Sequence, residues 1–473
     1  MSVSMNAALH RTQMTLNPEL RRYCWLELTP HRLIAAPVIA ALILALVAAV
    51  SNQSLAALAS VSLAGFAVCT LLYGSYLAVN AMPEEVRERT WDAQRMSALT
   101  PWQLALGKVL GAPVAGWYAG AWFLAVFLVT GMRTEGLNAL LIAGAAVSAA
   151  LALHAVAMIL GVFATRAGVT RNPGALLLLL IFWFALVPLQ TLGESNAAAI
   201  TWWGMPVPRL WFTLASALLF AAWASLGAAR TFAGELRVRQ LPWAWPAFSL
   251  YLGVWAGGLA DAQASRAADT FQAGAAANPA VVVLLIFFLC TGLGAYVLLL
   301  AERTGAMTLA RVLRTLRGEL AGGVTRALQS VPLWSVSLVC AWLSAAALLV
   351  LPWGTGLNGL ASAVLTDIAA AGKLMPLALA AMLLRDAGIY CIFALTRFPR
   401  RPAMATMLYL ALLDGVMPVL MHATGLSTIA FLVFPLGRAS AAGALVIFLL
   451  QAALAWGFAL KRWRAGQRLD LDT

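Results

Sequence analysis

Long runs of apolar residues alternate with short polar connections along almost the whole chain. One helical crossing of a bilayer needs about 20 consecutive apolar residues, and about twelve runs approach that length. The runs do not show the alternation over about 10 residues that outer-membrane barrel strands use. The pattern therefore predicts an all-α, polytopic helical membrane protein. The predicted spans are 33–50, 55–80, 109–130, 137–164, 174–192, 209–229, 244–260, 280–301, 331–353, 366–384, 404–424 and 440–460.

The composition supports this class and excludes a soluble fold. Of the 473 residues, 62% are hydrophobic and only 10% are charged, and the mean hydropathy is +0.86. A soluble fold would lack the polar surface needed to cover such a core. The five cysteines are widely spaced and form no C-x-x-C motif, so neither a disulfide framework nor a metal site is expected.

The positive charge is placed in alternate connections, which predicts the orientation of the chain. A net charge of +13 could indicate a nucleic-acid partner. However, the arginines lie in short loops, as the positive-inside rule expects of an inner-membrane protein, so no nucleic-acid partner is predicted. The connections that carry the excess of Lys and Arg are 1–32, 84–108, 166–171, 230–239, 303–326, 397–401 and 461–473. Because both terminal segments belong to this basic set, both termini should be cytoplasmic.

One cytoplasmic connection is unusually rich in charge. Residues 84–100, here named the charged connection, begin the stretch EEVRERTWDAQRMSALTPWQLALGK. Read as one helix that begins at Pro83, this segment has an uncharged face and a charged face. The predicted uncharged face holds Val86, Thr90, Ala93 and Ser97, and the charged face holds Glu84, Glu88, Asp92 and Arg95.

Proline-containing start signals flank the connection and the first span. Thr100-Pro101-Trp102-Gln103 has an N-cap hydroxyl, a proline at the first helical position and a glutamine that can complete a capping box. Gly107, Gly111, Gly116 and Gly120 form two G-x-x-x-G pairs that permit close helix approach. Upstream, 17–33 begins with a similar signal at Pro18 and predicts an interfacial elbow helix on the cytoplasmic surface.

These features together resemble the permease subunits of ATP-binding-cassette type-2 exporters over about residues 17–230. The matching residues are Glu84, Glu88, Arg89, Thr90, Trp91, Asp92, Leu99, Thr100, Pro101, Gly107, Lys108 and Gly111. In that family, the segment is a coupling helix that docks on a separate ATPase subunit. The resemblance therefore implies an export permease whose ATPase-coupling residues are Glu84, Glu85, Arg87, Glu88, Arg89, Asp92 and Arg95.

The resemblance also implies how the chain is divided. Residues 1–32 would form the cytoplasmic N-terminal segment, 33–230 a six-span unit, 231–460 a diverged second unit and 461–473 a cytoplasmic tail. A shift of 296 positions aligns 89–100 with 385–396, where four of twelve residues are identical. A basic helix at 302–328 is either a second ATPase contact or a helix resting on anionic headgroups. Either one chain or a homodimer could form the permease.

Nucleotide chemistry is expected on another subunit rather than on this chain. The pairs Gly107-Lys108 and Gly372-Lys373 lack the earlier glycine and the following Ser or Thr of a phosphate-binding loop. This chain is therefore predicted to be neither an enzyme nor a cofactor binder, with ATP and magnesium held by the partner ATPase.

A few polar residues within the spans keep other mechanisms open. His154 could relay protons or hydrogen-bond within the bundle, and Asp414 and His422 lie two turns apart in one span. The pair Arg385-Asp386 is expected at the membrane interface where the tenth span ends. The alternatives are therefore a secondary transporter driven by an ion gradient and, third, a membrane enzyme acting on lipid-linked substrates.

Overall fold

The chain is built almost entirely of α-helices. The computed structural model describes residues 17–166, 199–270, 278–301, 314, 323–353, 368, 372–395, 402–426, 429, 432–435 and 441–469. Within these residues, ten helices are long and apolar enough to cross a membrane. The prediction of an all-α, multi-pass membrane protein is confirmed at this level. The predicted fifth span, 174–192, lies outside the described residues, and the predicted seventh lies in a helix that is not among the ten.

The residues divide into two compact units. The first unit comprises 1–200 with 207–240, and the second comprises 201–206 with 241–473. In the first unit, the described helices are α1 (Pro18–Glu27), α2 (Pro30–Val50), α3 (Leu55–Ala67), a π-helical segment (Val68–Gly74), α4 (Ser75–Arg87), α5 (Trp91–Arg95), α6 (Pro101–Gly111), α7 (Val114–Thr134), α8 (Asn138–Arg166) and α9 (Arg209–Glu235).

The second unit is also a bundle of long helices. Its core is formed mainly by α11, α13, α14 and α17, and it includes Phe288, Trp334, Tyr390 and Phe448. The described helices are α10 (Ala244–Thr270), α11 (Pro279–Ala301), α12 (Gly323–Ser330), α13 (Leu333–Val350), α14 (Met375–Ala394), α15 (Pro402–Leu410), a second π-helical segment (Ala411–Val416), α16 (Met417–Ala423) and α17 (Ala441–Leu469).

A short β-hairpin, which the sequence analysis did not predict, precedes α9. Strand β1 (Ala199–Trp202) pairs with β2 (Met205–Pro208). Trp203 and Gly204 form the turn with φ of 50° and 72°, the two positive values that a type I′ hairpin turn requires. Gly204 was the available local signal, because glycine adopts a positive φ at low cost, whereas Trp203 gave no such signal.

The predicted helix starts are confirmed at both proline signals. The side chain of Asn17 caps α1 by accepting a hydrogen bond from the Glu19 N–H at 3.0 Å. Thr100 and Gln103 form the predicted capping box of α6: the Gln103 N–H donates to Thr100 Oγ1 at 3.2 Å, and the Thr100 N–H donates to Gln103 Oε1 at 3.0 Å.

The prediction of a single helix across 84–100 is wrong. Helix α4 runs through Pro83 and ends at Arg87, and the five-residue α5 begins only at Trp91. Arg89 has φ of 60°, a left-handed conformation that ends a right-handed helix and restarts its register. Consequently Glu85 and Trp91 are buried, whereas Val86 and Ala93 of the predicted uncharged face are exposed.

Two predicted spans also have different limits. The third was placed at 109–130, but α6 ends at Gly111 and α7 begins at Val114. The tenth was placed at 366–384, but α14 begins at Met375, after Gly372 with φ of 91° and with Pro376 in its first turn. Of the predicted basic helix 302–328, only Arg314 and α12 lie within the described residues.

Close helix packing in the first unit depends on glycines. A Cβ on Gly116 would lie 2.6 Å from the Cys69 carbonyl oxygen, and one on Gly120 would lie 2.7 Å from Thr70 Cγ2. A Cβ on Gly161 of α8 would overlap the carbonyl oxygen of Val79 in α4. These positions admit no larger residue unless the backbones move apart.

The substitution Gly161→Ala should therefore destabilise the protein. We expect a loss of about 1–3 kcal/mol, because the new methyl group meets backbone atoms that cannot rotate away. The measurement is the thermal unfolding midpoint of the purified protein in detergent.

Gly457→Ala in α17 is the matched control for that substitution. Its added Cβ has no described heavy atom within 4 Å, and alanine is favoured over glycine in a helix by up to about 1 kcal/mol. The control should unfold at the wild-type temperature or above it. Equal midpoints for the two variants would contradict the close contact between α4 and α8.

Candidate functional site

The charged connection presents a dense group of ionic side chains at one end of the first unit. Six of the seven predicted ATPase-coupling residues are exposed: Glu84, Arg87, Glu88, Arg89, Asp92 and Arg95. Arg95 Nη1 lies 3.7 Å from Asp92 Oδ1 across one turn of α5. These six side chains can therefore meet a partner without unfolding of the segment.

Glu85 differs from the other six because it is buried in an ionic network. We name Glu19, Arg22, Tyr23, Glu85 and Lys108 the anchor network. Glu85 Oε2 lies 2.5 Å from Lys108 Nζ, and Glu85 Oε1 accepts hydrogen bonds from Arg22 Nη2 at 2.6 Å and from the Tyr23 hydroxyl at 2.7 Å. Glu85 thus joins the connection to the elbow helix α1 and to α6.

Lys108 lies at the centre of the anchor network and has no solvent-exposed surface. Its Nζ contacts Glu19 Oε1 at 3.0 Å as well as Glu85. The same ammonium lies 5.6 Å from the ring centroid of Tyr23 and 5.7 Å from that of Trp91, within the range of cation–π attraction. Lysines are almost never fully buried unless they are paired in this way.

The charges of the anchor network balance. Two carboxylates, Glu19 and Glu85, face the guanidinium of Arg22 and the ammonium of Lys108. Burial and the charge of Glu85 raise the pKa of Tyr23 well above its usual value, so the hydroxyl remains a donor. Burial acts to lower the pKa of Arg22, but hydrogen bonding and the charge of Glu19 outweigh it, and the pKa is raised.

Small residues allow α1 to lie directly on α6. A Cβ on Gly107 would lie 2.6 Å from Glu19 Cβ, and one on Gly111 would lie 2.8 Å from Tyr23 Cδ2. The Asn17 side chain also donates from Nδ2 to the Gln103 carbonyl oxygen at 2.5 Å. The first predicted G-x-x-x-G pair therefore receives the elbow helix, while Trp25 on the same helix is 83% exposed.

Trp91 attaches the middle of the charged connection to α9. Its buried ring lies 6.0 Å from the ring of Phe232 at an interplanar angle of 54°. Both residues belong to an apolar core with Met82, Leu104 and Met158. The charged connection therefore contacts α1 and α6 through Glu85, and α9 through Trp91.

Two arginines adopt the left-handed conformation at equivalent helix ends. After α4, the Thr90 N–H donates to the Glu85 carbonyl at 3.0 Å, and the Arg89 N–H donates to Val86 at 3.2 Å. After α9, Val238 and Arg237 repeat this pattern, and Arg237 has φ of 55°. Both ends are Schellman motifs, whose left-handed position is usually glycine. An arginine there carries a backbone cost of about 1–2 kcal/mol.

A surface groove lies beside the charged connection. It has a volume of about 370 Å³, and it is formed by α5 and the end of α9. Arg166 Nε contacts Glu235 Oε1 at 2.6 Å and fixes one wall. The groove offers both charge signs and an apolar floor, because its lining residues are Asp92, Arg95, Met96, Glu235, Leu236 and Arg237.

His154 is held within the first unit. Its Nε2 lies 2.8 Å from the carbonyl oxygen of Thr70 in the first π-helical segment, and its ring meets Trp117 edge-on at 5.1 Å. This agrees with the predicted hydrogen bond inside the bundle. No acidic partner of His154 is found among the described residues.

Asp414 and His422 belong to the second unit and have different partners. Arg385 Nη2 donates to Asp414 Oδ1 at 2.5 Å, whereas His422 is exposed and its Nδ1 lies 2.9 Å from the Pro418 carbonyl of its own helix. The ion pair of Arg385 and Asp386 is confirmed at 2.7 Å. Its predicted interfacial position is wrong, because both residues are buried near the middle of α14.

Sequence reasoning missed the anchor network, although each of its parts was visible. Glu19, Arg22 and Tyr23 lie in the predicted elbow helix, and Lys108 was noted as a family match but not as a member of a buried ion pair. The available signal was a lysine between the apolar residues of a helix, because such a lysine must find a buried partner.

Comparisons with known proteins give no relative. No protein-family model, curated protein or solved structure matches the chain.

Removal of the Lys108 charge should be strongly destabilising. Lys108→Met leaves Glu19 and Glu85 with Arg22 as their remaining cation in the network, and a broken buried ion pair costs about 3–5 kcal/mol. Denaturant unfolding in detergent measures this loss. The double variant Lys108→Met/Glu85→Gln should recover part of it, because one carboxylate is neutralised as well.

Lys461→Met serves as the control because Lys461 is an exposed lysine. An exposed substitution of this kind should stay within about 0.5 kcal/mol of wild type. A loss in Lys108→Met no larger than in Lys461→Met would show that the anchor network contributes little to stability.

Proposed function

We propose that this chain is the permease subunit of an ATP-driven exporter, and that the charged connection docks on a separate ATPase subunit. The observation that carries the proposal is an exposed ionic segment fixed at its base by a buried, charge-balanced network. A segment that only linked two spans would need neither the exposed charges nor the buried anchor.

The chemistry of the exposed surface supports a protein partner. The connection displays acids and arginines next to a groove whose lining includes two apolar residues, Met96 and Leu236, and Met96 is 84% exposed there. Charged rims around a partly apolar centre are typical of protein interfaces. The excess of arginines in the connections on this side favours a cytoplasmic position, where ATP is available.

The left-handed arginines support the same assignment. At Arg89 and Arg237 a glycine would adopt the backbone conformation at lower cost. Strain of this kind is concentrated at functional positions. We infer that the side chains of these arginines serve docking.

The contacts of the connection provide a path for force. Glu85 ties α4 to α1 and α6, and Trp91 ties α5 to Phe232 of α9. A push on α5 would therefore reach several helices of the first unit at once. The exported substrate is not specified by any residue on this path.

The test is purification of the tagged protein from its native membranes in mild detergent, followed by ATPase assay of the material. We expect a stoichiometric ATP-hydrolysing subunit with the wild type, and its loss from Glu88→Lys/Asp92→Lys, because two exposed acids at the proposed interface are reversed.

Glu135→Lys is the matched control for the charge reversals. Glu135 is an exposed acid at the far end of α7, which is predicted to lie outside the cell. This variant should retain the ATPase subunit. Recovery of the intact chain without any ATPase across several detergents would overturn the proposal, and so would equal retention in the docking variant and the wild type.

The substitution Arg89→Gly should separate docking from folding. Glycine relieves the left-handed strain, which stabilises the folded state, but it also gives the unfolded chain more conformational freedom, which destabilises the folded state. The free energy of unfolding should therefore stay within about 1 kcal/mol of wild type. ATPase retention should nevertheless fall, because the guanidinium is lost. Thermal unfolding and copurification measure the two effects, and full retention would remove Arg89 from the interface.

A transporter driven by an ion gradient is the second candidate. It is favoured by the buried cluster around Arg385, because ionic groups inside membrane spans mark ion and substrate pathways. That function would require flux that persists without ATP and collapses when an uncoupler is added.

A further inference from the structure

A buried ionic cluster lies among the spans of the second unit. Arg385 donates from Nε to Asp386 Oδ1 at 2.7 Å and from Nη2 to Asp414 Oδ1 at 2.5 Å. Its Nη1 reaches Gln451 Oε1 at 3.2 Å and the Val433 carbonyl at 3.3 Å. The guanidinium also lies 5.0 Å from the ring centroid of Phe448. All three guanidinium nitrogens of Arg385 therefore donate hydrogen bonds, and the guanidinium also contacts an aromatic ring.

The charges of the cluster do not balance. One guanidinium faces two carboxyl groups, and the charged groups that act on Asp414 among the described residues are Asp386 and Arg385. The other polar neighbours, Tyr296 and Gln451, carry no charge when the tyrosine is protonated. With both aspartates ionised, one negative charge would remain without compensation in an apolar bundle, which is costly.

The hydrogen bonds distinguish the two acids. Asp386 uses both oxygens as acceptors, from Arg385 at Oδ1 and from the Tyr296 hydroxyl at Oδ2, the latter at 2.5 Å. Asp414 accepts from Arg385 at Oδ1, and no partner of its Oδ2 is found in the part of the chain that the structure describes. A proton is therefore accommodated best on Asp414 Oδ2, where it displaces no existing bond.

The partial exposure of Asp414 also suits the exchange of a proton with the surroundings of the bundle. Its side chain is 15% exposed, whereas that of Asp386 is fully buried. Asp414 lies in the π-helical segment Ala411–Val416, and such segments occur frequently at functional sites. His422, two turns further along, bonds the Pro418 carbonyl and takes no part in the cluster.

We propose that the cluster of Arg385, Asp386 and Asp414 is a binding site for one exchangeable proton, which is carried by the Asp414 carboxyl group. Proton release would leave two carboxylates competing for one guanidinium, so occupancy of the site would alter the contact between α14 and the span that contains Asp414. This inference does not depend on the proposed ATPase partner.

The test is infrared difference spectroscopy of the full chain in lipid nanodiscs over a pH series. In the pH range where exposed carboxyl groups are already ionised, the wild type should show one carboxylic-acid band that disappears reversibly as the pH rises. Asp414→Asn should lose the band, and its amide oxygen can still accept from Arg385. Asp386→Asn should lose it too, because one carboxylate then balances the guanidinium and the remaining acid ionises. Glu135→Gln, a change at an exposed acid, should leave the band unaltered.

A second readout is the pH dependence of the thermal midpoint. A folded chain that holds an extra proton is stabilised at low pH, and this stabilisation is lost as the pH rises through the release of that proton. Asp414→Asn should flatten this dependence. The proposal would be overturned by the lack of a titrating band in the wild type, or by a band that survives either aspartate substitution. The band would also be missing if another cation of the chain paired with Asp414, because that acid would then stay ionised.

Discussion

The contact between the Lys108 ammonium and the carboxylates of Glu19 and Glu85 is the constraint on which the end of the first unit depends. Removing these groups from water costs several kcal/mol per ion, and the cost is recovered only while the partners stay in place. The elbow helix, the end of the second span and α6 each supply one partner. A shift of any one of the three would break at least one of these buried ion pairs.

This constraint explains how a short and highly charged segment can be both exposed and rigid. Five residues of helix between Trp91 and Arg95 would not be stable in isolation. They follow directly after the Glu85 contacts, and their first residue, Trp91, packs its ring against Phe232. The exposed acids and arginines are therefore presented in a fixed arrangement, which reduces the entropy cost of docking.

Local signals in the sequence were sufficient for helix starts but not for tertiary contacts. The capping box of Thr100 and Gln103 and the start at Pro18 depend on neighbouring residues, so they could be predicted. The break after Arg87 could not, because the left-handed position holds arginine rather than the glycine that would signal it. The pairing of Lys108 with Glu85 depends on how the helices pack, and no local pattern encodes it.

The two ionic clusters differ in charge balance, and this difference indicates different roles. In the anchor network, two cations meet two carboxylates, so the charges balance without an added proton. Around Arg385, one cation meets two carboxyl groups, so the ionisation of one depends on the other. Asp414 adds one hydrogen bond to Arg385, but it also brings a second carboxyl group that the single guanidinium cannot balance when both acids are ionised. This imbalance is the reason for our inference that Asp414 binds and releases a proton while the protein functions.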